Sequence, residues 1–142
     1  MIRSVLSATI VGLVFAACSS SPPVEEIRAY PVQITNLGAA VNSSQDEFAP
    51  SITANATRLF FTRGNTGIPH NRDFWQSTLD GEFWTSASRL PDRINRATNE
   101  GSPSLSADGQ ILFFAASDRP DSEGKSDIYI SELEGREWKE AR

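Results

Sequence analysis

Laid over itself with a shift of 53 residues, the chain repeats, and that repetition limits what it can fold into more than any other feature. Glu47-Phe48-Ala49-Pro50-Ser51-Ile52-Thr53-Ala54 falls on Glu100-Gly101-Ser102-Pro103-Ser104-Leu105-Ser106-Ala107, and Leu59-Phe60-Phe61 falls on Leu112-Phe113-Phe114. Leu37 and Asn42 fall on Leu90 and Asn95. A shift of 54 then lays Asp73-Phe74-Trp75 over Asp127-Ile128-Tyr129, and Ser77, Leu79, Gly81 and Trp84 over Ser131, Leu133, Gly135 and Trp138. One residue of loop length separates the two registers. A unit of this size cannot bury both of its faces alone, so it must stack on a neighbour of its own kind.

Each copy reads as short strands. Residues 51–54 form an extended piece after Pro50, and residues 58–62 and 111–115 are β-rich with apolar side chains on both faces, the pattern of a strand covered on both sides. Residues 73–79 and 127–133 form the next strand, followed by turns at Asp80-Gly81 and Glu134-Gly135 and short outer strands at Phe83-Trp84 and Glu137-Trp138. Asp108-Gly109 is a favourable hairpin turn because both residues tolerate positive φ. Asn55-Ala56 stands in its place in the first copy, and the Cβ of Ala56 predicts another turn geometry there.

These units predict an all-β fold of two propeller-type blades, antiparallel sheets of an incomplete β-propeller, with a β-sandwich of two similar halves as the structural rival. The run Asn-x4-Glu-x2-Pro-Ser, then Leu-Phe-Phe, then Asp-Ile-Tyr or Asp-Phe-Trp, then Gly-x2-Trp resembles the WD-repeat-like propeller repeat of TolB-type periplasmic proteins. The same repeat precedes OmpA-like peptidoglycan-binding domains in some envelope proteins. The match is close over residues 95–138. Over residues 42–84 it departs at Asn55-Ala56 and in the loop 64–72. The resemblance implies a fold and a compartment more than an activity, since propellers host many functions.

The N-terminus has its own logic. Arg3 precedes an apolar run from Val5 to Ala17, the length of a secretory signal core and short of the ~20 residues that span a membrane. Phe15-Ala16-Ala17-Cys18 resembles a bacterial lipoprotein signal, with Phe15 in place of the usual Leu. That resemblance makes Cys18 the lipidation site, modified with acyl chains such as palmitate, and Ser19 after it implies sorting to the outer membrane. Residues 1–17 are thus expected to be a signal peptide helix. Residues 18–36 are a lipidated, disordered Ser/Pro-rich tether. Residues 37–89 form the first repeat, and residues 90–142 the second, C-terminally incomplete. The next connector would begin just beyond Arg142, so the repeat logic predicts the front portion of a longer propeller lipoprotein. Alternatively, several copies assemble a ring, or the exposed edge pairs with another protein.

Composition excludes several functions. A net charge of −5 with dispersed basic residues argues against nucleic acid as a partner. One Cys and one His leave no cysteine cluster or His-rich zinc site. Glu47/Glu100 and Asp73/Asp127 recur in both copies, whereas a catalytic pair occurs once, so they read as turn and inter-blade hydrogen-bonding residues. Trp84/Trp138 read as packing, and Ser51/Ser104 as partners of local backbone. The loop 117–127 carries Asp118, Asp121, Glu123 and Asp127, which offer the oxygen ligands calcium takes, but not at EF-hand spacing, and Arg119 and Lys125 dilute the charge. His70 lacks a nucleophile partner. The expectation is therefore no catalytic residue, metal or cofactor. The chain would be a membrane-tethered periplasmic scaffold, held through Cys18, for an envelope protein or a peptidoglycan-associated partner. The alternatives are the propeller portion of an envelope enzyme such as a peptidase, or a glycan- or ion-binding propeller.

Overall fold

The structure, a computed structural model, describes residues 32–64, 72–96 and 99–142. Cys18, the signal, most of the tether and His70 lie outside the described residues. The described elements are all β, arranged as two antiparallel propeller-type blades within Thr35–Arg142.

The first blade runs β1 (Asp46–Ile52), β2 (Arg58–Gly64), β3 (Arg72–Asp80), β4 (Phe83–Trp84) and β5 (Ser88–Arg89). Strands β4 and β5 both pair with β3 and together make one interrupted outer strand. The second blade runs β6 (Asn99–Leu105), β7 (Ile111–Ser117), β8 (Ser126–Glu134) and β9 (Glu137–Trp138) in the order β6-β7-β8-β9. Arg142 exchanges backbone hydrogen bonds of 3.0 and 3.1 Å with Ile130, matching the pairing of Ser88 with Gln76 in the first blade.

The two blades share registers and irregularities. Phe61 faces Trp75 as Phe114 faces Tyr129, and Leu79 faces Trp84 as Leu133 faces Trp138. Both inner strands carry a bulge, between Phe48 and Ser51 and between Gly101 and Ser104. Ala49 (φ 50°) and Ser102 (φ 57°) take left-handed conformations there, each just before a proline. Proline has no N–H for the ladder, and a bulge is where a strand tolerates it. The outer turns place positive φ on Gly81 (60°) and Gly135 (63°) and on no other turn residue, the pattern of a type II′ hairpin.

The β1–β2 turn corrects the expectation of a different geometry in the first copy. Ala56 adopts φ 57° where Gly109 adopts 70°, and the bonds that close the turn match. Ala56 N donates to Thr53 O and Gly109 N to Ser106 O, both at 2.8 Å. Asn55 Oδ1 accepts from Thr53 Oγ1 and Thr57 N as Asp108 Oδ1 accepts from Ser106 Oγ and Gln110 N. A hydroxyl two residues before an Asn or Asp thus sets the turn, and Ala56 tolerates the strain.

The main core lies between the blades. Phe60 and Phe74 of the first blade meet Leu112, Phe114, Tyr129 and Trp138 of the second, with Leu90 and Ile94 of the connector closing one side. Phe74–Phe114 (5.3 Å, 78°) and Phe60–Trp138 (5.9 Å, 84°) pack edge to face across the seam. Adjacent Phe60 and Phe61 point to opposite faces and both are buried, as a doubly covered strand requires. The same expectation fails for β7, where Phe114 is buried but Phe113 is 45% exposed. No described element covers that side of the second blade.

The hairpin tips differ in one respect: a Cβ on Gly109 would lie 2.7 Å from Thr53 Cγ2 and 3.3 Å from Arg58 Nη1. Ala56→Gly should therefore raise stability by about 0.5–1 kcal/mol through relief of strain. Gly109→Ala should lower it by about 1–3 kcal/mol through strain and a clash across the seam. Urea denaturation of both variants checks the pair, and equal small effects would show that the tips do not touch.

Candidate functional site

Recurring residues hold each connector to its blade. Glu47 Oε1 accepts from the Ser43 backbone N–H, and Glu100 Oε1 from the Arg96 backbone N–H. Each carboxylate also binds a guanidinium: Arg63 Nε lies 2.8 Å from Glu47, and Arg119 Nη2 lies 3.0 Å from Glu100. Both arginines donate to a connector carbonyl, Arg63 to Val41 O at 2.7 Å and Arg119 to Ile94 O at 2.5 Å. Both lie over equivalent rings. Arg63 sits 5.4 Å from the Phe61 centroid and 4.2 Å from that of Trp75, Arg119 5.0 Å from Phe114 and 4.6 Å from Tyr129. The two cations occupy the same place, yet Arg63 comes from β2 and Arg119 from the β7–β8 loop. Sequence matching missed this because it puts Ala116 opposite Arg63 and treats Arg119 as a dilution of an acidic loop.

Asn95 is a second unrecognised anchor. It is 1% exposed. Its Oδ1 accepts from Phe74 N at 2.7 Å, and its Nδ2 donates to Phe74 O and Leu90 O at 2.9 and 3.0 Å. One side chain thereby satisfies both backbone groups of a residue in the preceding blade. The recurrence of Asn42 and Asn95 was the available signal.

The other expected residues hold strands and turns, and Ser51, expected to partner local backbone, instead binds the second blade. Asp73 takes a bidentate pair from Arg89, at 2.8 and 2.9 Å, and that hydrogen bonding first of all raises the guanidinium pKa. Asp127 Oδ2 accepts from Ser122 Oγ and from the backbone N–H groups of Glu123 and Gly124, which holds its carboxyl below the usual carboxylate range. Ser51 Oγ accepts from Leu105 N at 3.0 Å across the seam. Trp138 is buried in the seam, while Trp84 packs beside Val41, Leu59 and Phe61. Among the described residues, no three His, Cys, Asp or Glu side chains converge as a metal site would require.

A cleft of about 820 Å³ opens along the seam, lined by Gln76 and Thr78 of β3, Trp138 of β9 and three arginines, Arg58, Arg93 and Arg136, with Glu137 the single carboxylate. Arg58 lies over Phe60 and donates to Gly109 O at 3.2 Å; burial lowers its pKa, but from so high a value that it stays charged. Arg93 donates to Trp138 O at 2.9 Å and to Glu137 at 3.3 Å. Arg136 makes no hydrogen bond or ion pair among the described residues. Three guanidiniums against one carboxylate favour an anionic group such as a carboxylate, which they can bind by charge-assisted hydrogen bonds.

No protein-family model matches the chain, and no curated protein matches it.

The Glu100–Arg119 pair is fully buried, both side chains being 0% exposed, whereas Glu47–Arg63 is 14% and 10% exposed. Glu100→Gln should cost about 3–5 kcal/mol, because it strands a buried cation. Glu47→Gln should cost only about 1–2 kcal/mol. Chemical denaturation measures both, and equal costs would refute the dependence on burial. Because the pKa of Asp127 is lowered in the fold, its contribution is complete above the unfolded value near 3.9 and is lost as pH falls through the lower folded value. The Glu123 and Gly124 amides should therefore stay protected from hydrogen exchange at about pH 4 and lose protection only as pH falls further, through the lowered folded value.

Proposed function

We propose that the chain is a lipoprotein anchored through lipid on Cys18 in the outer membrane, facing the periplasm, whose TolB-like propeller repeats form a non-catalytic scaffold for an envelope protein or a peptidoglycan-associated partner. The observation that carries this reading is the composition of the seam cleft. Arg58, Arg93 and Arg136 have Ile111, Ala40 and Glu82 as their counterparts in the other repeat, so its positive charge occurs once. Residues present in both copies serve the fold; of the three cations, Arg58 and Arg93 also hold Gly109 O and Trp138 O, and Arg136, without a side-chain partner among the described residues, is the one most available for recognition. Cell-wall peptides and acidic protein segments both supply the carboxylates such a cleft would bind. A Ser/Pro-rich tether at residues 18–36 would let the cleft reach a partner beyond the membrane surface.

Two experiments test the reading. Palmitate labelling in cells should mark the wild-type chain and not Cys18→Ala, and equal labelling would refute the anchor. Purified peptidoglycan should co-sediment with the chain, and Arg136→Glu should weaken that binding about tenfold, since reversing an exposed charge changes affinity without disturbing the fold. Binding left unchanged by Arg136→Glu would move the contact away from the cleft.

A further inference from the structure

The seam between the blades joins two unlike faces of the same repeat. The first blade contributes its trailing face, with Arg58, Phe60 and Thr62 on β2 and Phe74 and Gln76 on β3. The second contributes its leading face, with Leu112, Phe114, Tyr129 and Trp138, and its connector adds Leu90, Ile94 and Asn95. Each face recurs once more in the molecule. The leading face of the first blade carries Val41, Leu59 and Phe61, already buried together, and leaves Trp75 and Trp84 partly exposed above them. The trailing face of the second presents Phe113, 45% exposed, and Ile128, 73% exposed, at the positions of Phe60 and Phe74, which are both 0% exposed.

The open trailing face is more apolar than the covered one. Arg58, Thr62 and Gln76 are replaced by Ile111, Ala115 and Ile130, and the one change toward charge, Thr78 to Glu132, lies at the edge, where Glu132 is paired with Arg142. A face selected to meet water would change in the opposite direction, and a contiguous exposed apolar patch marks a docking surface.

We propose that a second copy of this chain covers that face, seating the leading face of its first blade there as the second blade seats on the first. The seam itself is the template, since one end of the molecule carries the surface that the other end is built to receive. By equivalence, Phe113 meets the partly exposed Trp84 of the next copy as Phe60 meets Trp138, and Ile128 takes the place of Phe74 beside it. Asn42 of the next copy exchanges its Nδ2 hydrogen bond to Asn36 Oδ1, 3.0 Å in the single chain, for the N–H and C=O of Ile128, as Asn95 bridges those of Phe74. The contact is head to tail, so it closes into a ring when the rotation per blade allows. Closed propellers hold about 4–8 blades, which sets two to four copies of a two-blade chain. This inference does not depend on the anchor or on the cleft.

Sedimentation equilibrium of the full chain, in a density-matched non-ionic detergent that holds its apolar N-terminal stretch, reads the number of copies across a concentration series. The wild type should form one discrete species of two to four copies. Ile128→Glu should abolish it, and the side chain is exposed enough in the single chain for the fold to survive, which circular dichroism checks. Asn42→Ala should raise the dissociation constant about tenfold. Ile34→Glu, at a 94% exposed position on neither face, should leave assembly unchanged. A monomer at about 100 µM, far above a micromolar dissociation constant, would overturn the proposal. So would assembly that survives Ile128→Glu or ignores Asn42→Ala, the latter because a tail-to-tail contact would not use the leading face.

Discussion

The guanidinium held between a glutamate, a connector carbonyl and two aromatic rings is the interaction on which the blade architecture depends. A blade has to be tied to the segment that leads into it, because that segment covers part of the blade's leading face. Glu47 and Glu100 provide the tie by accepting from the connector backbone and from an arginine together. The arginine in turn donates to Val41 O or Ile94 O, and in the second copy the next residue, Asn95, reaches into the first blade. Connector, strand and seam are thereby fixed relative to one another through one carboxylate. Its energetic weight differs between the copies for a simple reason: the second node is covered by the first blade as well as by its connector, and the first node, among the described residues, by its connector without a further blade. Only Nη2 of Arg119 forms hydrogen bonds, and its Nε and Nη1 are buried without partners among the described residues, which makes its charge depend all the more on Glu100.

Much of the fold was legible in the sequence because strands and turns are local. The repeat placed β2, β3, β7 and β8 to within two residues at either end, and Phe83-Trp84 and Glu137-Trp138 matched the observed outer strands. The inner strands were read short: the expected piece began at Ser51, while β1 begins at Asp46. The reason is the bulge at Ala49-Pro50, since a proline and a polar run mask extended backbone that pairs on both sides of the irregularity. The first hairpin was misjudged through weight given to the Cβ of Ala56 and none to the Thr53–Asn55 hydrogen bond, which stabilises the same turn without glycine.

The site was less legible, because its geometry depends on which element covers which. Arg119 lies in a loop rich in acidic residues, and nothing local indicates that its side chain enters the core beneath Tyr129. The equivalence of Arg63 and Arg119 is spatial and has no counterpart in the alignment. Phe113 and Phe114 look identical to Phe60 and Phe61 in sequence, yet their exposures differ because burial is set by the neighbour rather than by the strand. Periodicity reports which side of a strand a residue occupies and is silent on whether that side is covered.

Duplication itself offers a way to separate fold from function. Two copies of one unit face the same requirements for hydrogen bonding, turn formation and packing, so those requirements preserve the same residue in both: Glu47 and Glu100, Asn42 and Asn95, Ser77 and Ser131, whose hydroxyls donate to Thr85 O and Lys139 O. Positions that differ while the backbone register stays the same are under some other constraint. At the seam the first blade has Arg58 and Gln76 where the second has Ile111 and Ile130. The polar version lines a cleft beside a covering blade, and the apolar version lies open. Solvent exposure alone predicts the reverse assignment, so each substitution is better explained by what the face is built to contact: an anionic group in the cleft, and an apolar surface at the open end.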